Sequence, residues 1–219
     1  MNLLKKTPYL LAIDGPAGSG KGTIAKIISK KLNLNYLDSG AVYRVLALAI
    51  INENIDQENI QVVLKKLEDI IISFQGEDIF LNNENVSKQI RFQEVGKAAS
   101  NLAKHIEVRD QILEYQRNFF HGRGLVAEGR DMTTVVFPNA DLKIYLEASL
   151  EERVKRRHKQ LILKGKDVNI LDLKDEIYAR DKQDKEREHS PLIVSPDAFI
   201  VCSDSLTINE TVKKILSLI

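Results

Sequence analysis

Short apolar runs alternate with amphipathic stretches along most of the chain. The first run, Tyr9 to Ile13, lies between Pro8 and a glycine cluster, and it predicts a strand buried on both faces. A helix follows, because after the glycines apolar residues recur at helical spacing with lysines between them. The apolar positions are Ile24, Ile27, Ile28 and Leu32. Tyr36 and Leu37 predict a second strand, and Ala41 to Ile51 predict an apolar helix. The chain therefore begins with two strand–helix units.

The same alternation returns in the second half of the chain. From Gln93 to Phe120 the pattern is helical, in two pieces divided near His105. Three further apolar runs predict strands: Leu125 to Ala127, Leu142 to Leu146 and Ala198 to Cys202. Two capping boxes, Ser149 with Glu152 and Thr207 with Glu210, open helices after the last two of these strands. Because strands alternate with helices, we predict an α/β fold with a parallel five-stranded sheet flanked by helices.

One region, residues 69–96, interrupts this alternation. Two β-rich runs, Ile70 to Phe74 and Ile79 to Leu81, are joined by a glycine-containing turn at 75–78. This arrangement predicts an antiparallel hairpin. We interpret 69–96 as an insertion in a core formed by 1–68 and 97–219.

Composition adds limits on location and partners. The 219 residues, against ~100 to 200 per domain, favour one domain with an insertion. The 32 basic and 31 acidic residues leave a formal charge of +1, so no global field attracts nucleic acid or anionic lipid. No apolar run approaches the ~18 residues of a membrane span, and no signal peptide is recognised. The single cysteine, Cys202, cannot form an internal disulfide and is expected in the core. We expect a cytoplasmic protein, monomeric by default, without a membrane span or nucleic-acid partner.

The glycine cluster matches the phosphate-loop motif, in which two glycines enclose four residues and a lysine follows. The loop lies between a predicted strand and helix, as the motif requires. Its backbone N–H groups can turn toward an anion, the helix N-terminus adds partial positive charge, and Lys21 supplies a full one. A glycine-rich turn without chemistry is the alternative. The predicted polyphosphate site consists of Gly15, Pro16, Ala17, Gly18, Ser19, Gly20, Lys21, Gly22 and Thr23.

Two later segments give the loop a family context. They are Leu37-Asp38-Ser39-Gly40 leading into Tyr43-Arg44, and Gly129-Arg130-Asp131-Met132 leading into Val135-Val136-Phe137-Pro138. With the loop, and nearly end to end, the chain resembles the bacterial cytidylate kinases, the short-lid branch of the nucleoside monophosphate kinases. Gly22 directly after the lysine is normal in that family. A GTPase is disfavoured, because the chain contains neither an Asp-x-x-Gly nor an Asn-Lys-x-Asp string.

The resemblance implies a reaction and a division of the chain. The reaction is transfer of the γ-phosphoryl of ATP to CMP or dCMP, which gives ADP and CDP or dCDP, with Mg²⁺ as the metal. The P-loop kinase core would carry a nucleoside-monophosphate-binding insertion at 69–96 and a short basic lid at about 153–167. Thr23 is the first hydroxyl after the lysine available to Mg²⁺, and Glu128 could act through water. Asp14 could also act through water or simply cap the turn.

The CMP site is also implied by the resemblance. Arg44 and Arg130 match arginines that grip the phosphate, since guanidinium groups bind phosphate oxygens in pairs. Arg180 and Asp184 match the sugar-end pair, and Arg187 is a third cationic position expected on the same helical face. A solvated charged helix is the alternative for 181–188. The complete implied set is Ser39, Arg44, Ser100, Arg109, Arg130, Asp131, Arg180, Asp184 and Arg187.

Base choice follows from the chemistry of cytosine. Asp131, Arg109 and Ser100 occupy the family's cytosine-contacting positions and offer one carboxylate and several donors to its N4 amino group, N3 and O2. Uracil would oppose an acceptor to Asp131, so CMP is expected to be preferred over UMP. Asp131 paired with Arg130 in a loop is the alternative. Where the family often has glycine this chain has Thr133, and where it often has aspartate it has Glu128.

Residues 151–166 form a local basic patch with seven basic and two acidic side chains. In the family this position is the lid, whose arginines approach ATP and the transferring phosphoryl on closure. Arg153 and Arg157, one helical turn apart, are the favoured inward pair, so the implied catalytic set is Lys21, Arg130, Arg153 and Arg157. A solvated basic helix is the alternative, and nucleic-acid binding is disfavoured because the patch lacks interleaved aromatics.

Two other functions are compatible with a phosphate loop. One is a related P-loop kinase for UMP or a non-nucleotide acceptor, against which Asp131, Arg109 and Ser100 argue. The other is an ATP-binding regulator, which would need an effector segment beyond the kinase core.

Overall fold

The computed structural model describes residues 8–75, 78–163, 165 and 167–219, and the chain forms two compact units. The first unit comprises 1–37 and 119–219, and the second comprises 38–118. The second unit is wider than the predicted insertion at 69–96, and the boundaries of that insertion stay a prediction. In chain order the elements are β1 (Tyr9–Asp14), α1 (Lys21–Leu32), β2 (Asn35–Asp38), α2 (Ser39–Asn52), α3 (Ile60–Asp69), β3 (Ile72–Gln75), β4 (Asp78–Leu81), β5 (Glu84–Asn85), α4 (Gln93–Leu102), α5 (Ile106–Arg117), β6 (Gly124–Gly129), β7 (Leu142–Glu147), α6 (Leu150–Ile162), α7 (Ile170–Glu186), β8 (Phe199–Cys202) and α8 (Ile208–Leu216).

The first unit is built on the predicted five-stranded sheet, whose order is β2-β6-β1-β7-β8. The central strand β1 pairs in parallel with β6 and β7, and β7 pairs in parallel with β8. Apolar side chains from the sheet, α1 and α8 form a buried cluster that includes Leu11, Ile28, Ile144 and Ile215. Burial of each such side chain stabilises the fold by about 1.5–3 kcal/mol, so this cluster fixes the sheet and its two helices together.

Parallel pairing places the ends of three strands at one edge of the sheet. Asp14, the last residue of β1, is in register with Gly129 of β6 and Tyr145 of β7. The chain therefore leaves β1, β6 and β7 on the same side, where open α/β sheets bind ligands. The phosphate loop, Arg130 and α6 follow these three strands directly.

The second unit contains helices α2 to α5 and a three-stranded sheet in the order β3-β4-β5. The predicted hairpin is confirmed as the antiparallel pair β3 and β4, with Ile72 opposite Leu81. Two residues of its predicted turn, Gly76 and Glu77, lie outside the described residues. The two-residue strand β5 and helix α3 are absent from the predicted elements. The predicted division of the following helix is confirmed, since His105 is the N-cap of α5.

One predicted capping box is confirmed and the other is half formed. At α8 the Thr207 side chain accepts from the Glu210 backbone, and the Glu210 carboxylate accepts from Thr207. At α6 the Ser149 hydroxyl accepts from the Glu152 N–H, but the Glu152 carboxylate accepts from Arg156 Nε at 2.9 Å instead. The Ser149 N–H donates to Asp204 Oδ1 at 2.7 Å. A long-range carboxylate therefore replaces the local partner.

The sheet ends at β8, which corrects the prediction for Cys202. Because β8 is last in the strand order, Cys202 is exposed rather than buried, as are Phe199 and Ile200. Within the described ranges, no helix has the length and apolar character needed to cross a bilayer.

Candidate active site

The phosphate loop joins β1 to α1, and its glycines are required by close contacts. A Cβ on Gly15 would lie 2.2 Å from the Leu146 carbonyl oxygen, so the loop can pass β7 only with glycine there. Gly20, the N-cap of α1, has a φ of 92°, in the left-handed region that glycine tolerates. The loop geometry thus agrees with the predicted anion site.

Lys21 is a buried lysine at the start of α1. Its Nζ donates to the Pro16 carbonyl oxygen at 3.2 Å, so the amine lies against the loop. Burial, and next the nearby Arg130 charge, lower the pKa of Lys21 to about 7. The Ser19 hydroxyl in the same loop is also buried and has no hydrogen-bond partner within the described residues. A bound anion would therefore accept hydrogen bonds from the Ser19 hydroxyl and the Lys21 amine.

A phosphate bound by this loop is expected to draw a proton onto Lys21. At pH 8 the amine of the free protein is mostly neutral, whereas a polyphosphate favours the charged form, so binding of MgATP should take up about one proton. Because MgATP binds the protein with Lys21 protonated, the affinity for MgATP should fall as the pH rises above about 7. Calorimetry at pH 8 in two buffers of different ionisation enthalpy measures this uptake. Equal heats in both buffers would contradict it.

Arg130 and Asp184 form a buried ion pair beside the loop. Arg130 Nε donates to Asp184 Oδ2 at 2.6 Å. Burial alone would raise the pKa of Asp184, but Arg130 and Arg180 outweigh it and hold that pKa below its ordinary value. Burial lowers the pKa of Arg180, whose Nε is buried without a partner among the described residues. This cluster brings predicted phosphate and sugar contacts together. Within 181–188 Asp181 and Asp184 are buried whereas Lys182, Lys185, Glu186 and Glu188 are exposed, so the segment is solvated on one side only.

The prediction that Arg187 shares a helical face with Arg180 and Asp184 is wrong. Helix α7 ends at Glu186, and Arg187 has an extended backbone with ψ of 141°. Its Nε donates to the Ser190 carbonyl oxygen at 2.6 Å. The helix ends one residue earlier than the spacing argument requires.

Asp14 anchors the turn that carries Asp131. After β6 the chain forms one π-helical turn, Met132–Val136, with Asp131 as its N-cap. The Asp14 carboxylate accepts from Met132 N at 2.9 Å, from Thr133 N at 2.7 Å and from Thr133 Oγ1 at 2.6 Å. Burial raises the pKa of Asp14 to about 6, although these bonds favour the charged form. Asp14 therefore caps a turn, one of the two roles open from the sequence.

The Thr133 hydroxyl is expected to stabilise this turn. Thr133→Val keeps the β-branched shape but removes a hydrogen bond to a buried carboxylate, so the free energy of unfolding should fall by about 2 kcal/mol at pH 8. Thr134→Val is the matched control, because the Thr134 hydroxyl is buried without a partner in the described part of the chain. That variant should be neutral or slightly more stable. Urea unfolding of both variants decides, and equal stabilities would contradict the role of Thr133.

Three arginines of α6 differ in their surroundings. Arg153 is buried and bonds to Ala17, Ala148 and Asp181. Arg156 donates to Ser19 O at 3.3 Å and to Ser203 O at 2.7 Å, and the sequence interpretation missed it. Arg157 donates to Gln160 Oε1 at 2.8 Å. Lys164 and Lys166 of the predicted basic patch lie outside the described residues.

A cavity of about 450 Å³ opens between the phosphate loop, α6 and the start of α8. Its size is that of a small-molecule site. The chain after β8 contributes polar groups that no sequence motif indicated. The lining residues include Gly18, Ser19, Gly20, Thr23, Arg156, Arg157, Gln160, Ser203, Leu206, Thr207 and Thr211.

Glu128 and Thr23 are the candidates for metal binding. Glu128 is buried, accepts from the Tyr36 hydroxyl at 3.4 Å, and has Oε1 3.1 Å from where a Cβ on Gly22 would lie. No cluster of three acidic, histidine or cysteine residues occurs within the ranges that the structure covers. One carboxylate and one hydroxyl at the end of a phosphate loop fit Mg²⁺, which uses few protein ligands together with water and phosphate.

The remaining predicted CMP contacts lie in the second unit, and each of these side chains is hydrogen-bonded to another residue of that unit. Arg44 Nη1 donates to Ile90 O at 2.8 Å, and the Ser100 hydroxyl donates to Gly96 O at 3.0 Å. Arg109 is buried, donates to Ala103 O at 3.1 Å, and lies 5.8 Å from the centre of the Tyr43 ring. The Ser39 hydroxyl accepts from Gln116 Nε2 at 2.7 Å, which leaves its own hydrogen to donate elsewhere.

Comparison with known proteins gives consistent results. A family model described as Cytidylate kinase matches residues 11–219. The chain is 46% identical over 218 residues to the cytidylate kinase of Vibrio vulnificus (strain YJ016), covering 98% of this chain and 96% of that protein. It is 46% identical over 222 residues to a bifunctional pantoate ligase/cytidylate kinase of Prochlorococcus marinus (strain MIT 9215), covering 99% of this chain. The chain spans 43% of the length of that bifunctional relative. Among solved structures it is similar to a gluconokinase from Sinorhizobium meliloti 1021, with 14% identity, a TM-score of 0.48, and coverage of 97% and 91% of the two chains.

Proposed function

The chain belongs to the cytidylate kinase family, as its motifs predict, and we propose that it transfers the γ-phosphoryl of ATP to CMP or dCMP. The observation that carries the proposal is the cluster of basic side chains at the phosphate loop, buried Lys21 with half-buried Arg130 and Arg180, next to Asp184. Phosphoryl transfer needs alignment and charge neutralisation more than a protein nucleophile. A cluster of basic groups held by the fold supplies both.

The donor nucleotide occupies the loop and the cavity beside it. The loop residues from Gly15 to Thr23 bind the phosphates through backbone N–H groups and Lys21. The remainder of the nucleotide lies in the cavity of about 450 Å³, with Arg157 as the lid arginine that approaches the transferring phosphoryl. Arg153 is the other predicted lid arginine, but its guanidinium bonds to Ala17, Ala148 and Asp181, which points to a different role.

The proposed acceptor contacts are those that the family resemblance implies. Arg44 and Arg130 bind the CMP phosphate, with Ser39 as a hydroxyl donor, and Arg180 and Asp184 bind the sugar, with Arg187 beside them. Ser100, Arg109 and Asp131 read the cytosine ring. Since Asp131 accepts from the N4 amino group, uracil leaves two acceptors opposed and is rejected.

Mg²⁺ with ATP is the proposed cofactor. Thr23 would bind it directly and Glu128 through water. When bound, Mg²⁺ neutralises charge on the phosphates. A monomeric state, a cytoplasmic location and the absence of a nucleic-acid partner stay predictions.

The test is ADP formation from MgATP with CMP, dCMP, UMP, AMP and GMP offered separately against a blank without acceptor. Turnover with CMP and dCMP well above UMP supports both the reaction and the base-reading residues. Equal turnover with UMP would contradict the role of Asp131. Absence of turnover with every acceptor, in folded protein that binds ATP, would contradict the reaction.

A further inference from the structure

Two charged side chains from different helices enclose one residue of the phosphate loop. Arg153 of α6 and Asp181 of α7 form an ion pair, with Arg153 Nη1 2.6 Å from Asp181 Oδ2. Arg153 Nη1 also donates to the Ala17 carbonyl oxygen at 2.9 Å, and Asp181 Oδ1 accepts from the Ala17 N–H at 3.2 Å. Both polar groups of Ala17 are therefore bonded to this pair, which we name the Ala17 clamp.

The Ala17 clamp is buried, and it is also bonded to the chain just after β7. Arg153 is 6% exposed and Asp181 is 8% exposed, so water cannot readily replace either partner. Arg153 Nε donates to the Ala148 carbonyl oxygen at 3.0 Å, which connects the clamp to the chain just after β7. A Cβ on Gly18 would lie 3.3 Å from the Arg153 Cβ, so the next loop residue also packs on this side chain. Arg153 Nε and Nη1 and both carboxylate oxygens of Asp181 therefore bond to the loop, to its support or to each other.

The direction of the Ala17 peptide bears on phosphate binding. The Ala17 N–H donates to Asp181, and the Ser19 N–H donates to the Pro16 carbonyl oxygen at 3.4 Å, so phosphate binding depends on the other N–H groups of the loop. Backbone donors bind an anion well only if they are oriented before it arrives. Rotation of the Ala17 peptide would disturb the donors that follow it.

We propose that Arg153 and Asp181 are positioning residues that hold the phosphate loop in its ATP-binding shape through Ala17. The role rests on the proposed binding of ATP to this loop. It differs from that of a lid arginine on the transferring phosphoryl, because the Arg153 guanidinium bonds to Ala17, Ala148 and Asp181 rather than facing the cavity. Loss of either partner should then weaken ATP binding itself, and the two losses should not add.

The experiment compares Arg153→Ala, Asp181→Ala and the double variant in equilibrium binding of MgATP without an acceptor. Each single change should raise the Kd for ATP by about tenfold or more, and the double variant should be no weaker than the worse single one. Asp181→Asn should be milder than Asp181→Ala, because the amide keeps an oxygen that accepts from the Ala17 N–H. The Kd for CMP without ATP should change less than twofold, and thermal unfolding identifies variants that fail to fold.

The matched control is an exposed ion pair between the same two helices. Lys174 Nζ lies 3.6 Å from Glu151 Oε1, and neither residue touches the loop, so Lys174→Ala and Glu151→Gln should leave ATP binding unchanged. If Arg153→Ala lowers kcat while the Kd for ATP stays at the wild-type value, the arginine acts on the reacting groups and the clamp is overturned. Wild-type binding in Asp181→Ala overturns it too. A wild-type protein that does not bind ATP would instead contradict the proposed function.

Discussion

Lys21→Ala is expected to lower kcat by about 10²–10³-fold, while the Kd for CMP measured without ATP changes less than twofold. The reason is the position of the amine, which is buried against the phosphate loop and bonded only to a loop carbonyl among the contacts described. A bound polyphosphate gives this cation its counter-charge, and no other lysine begins α1. Steady-state kinetics with CMP, together with equilibrium binding of CMP alone, measure the two quantities.

Lys31→Ala is the matched control for this prediction. Lys31 lies in the last turn of the same helix and is exposed, so Lys31→Ala removes the same kind of side chain from α1 at a position away from the loop. Its kcat should stay within twofold of wild type. A Lys21→Ala enzyme with wild-type kcat would remove Lys21 from the reaction.

Arg130→Ala should have the largest combined effect on stability and activity. The substitution would leave the buried Asp184 carboxylate without the ion pair to Arg130. Removing one member of such a pair lowers the free energy of unfolding by about 3–5 kcal/mol. Loss of the proposed phosphate contact should also lower kcat/KM for CMP by about 10²-fold or more. Urea unfolding and steady-state kinetics measure the two losses.

A double variant, Arg130→Met with Asp184→Leu, separates these two effects. Replacing both members of a buried ion pair by apolar side chains of similar volume is often neutral for stability. The double variant should therefore recover most of the lost unfolding free energy but none of the lost kcat/KM. Recovery of activity along with stability would show that the pair serves folding alone.

The parts of this protein that could be predicted from sequence depend on neighbours along the chain. The five strands of the parallel sheet follow from short apolar runs, and the phosphate loop follows from one contiguous stretch between a strand and a helix. The capping box at Thr207 is equally local and is confirmed. Local chemistry and the final fold agree at these positions, so pattern alone suffices.

The remaining features depend on contacts between distant segments. The partner of Arg153 is Asp181 on another helix, and Arg156 bonds to Ser203 beyond the last strand. Helical spacing alone favoured Arg153 and Arg157 as a pair and did not indicate these contacts. The π-helical turn after Asp131 is set by Asp14, which lies on a different strand. No periodicity in the sequence encodes such pairs, because they exist only once the fold has brought the distant segments together.

The anchoring of α6 limits how the proposed lid could close. Arg153 bonds to Ala17 and Arg156 bonds to Ser203, so the first two turns of this helix are attached to the phosphate loop and to the chain after β8. Within α6 only the stretch after Arg156 lacks these ties, six residues from Arg157 to Ile162, or about 9 Å of helix. A closing movement that keeps both anchors would move only this short stretch relative to the start of α6. Arg157 lies next to the point of rotation, where the backbone moves least. Such a side chain reaches its target by a change of rotamer rather than by long travel of the backbone.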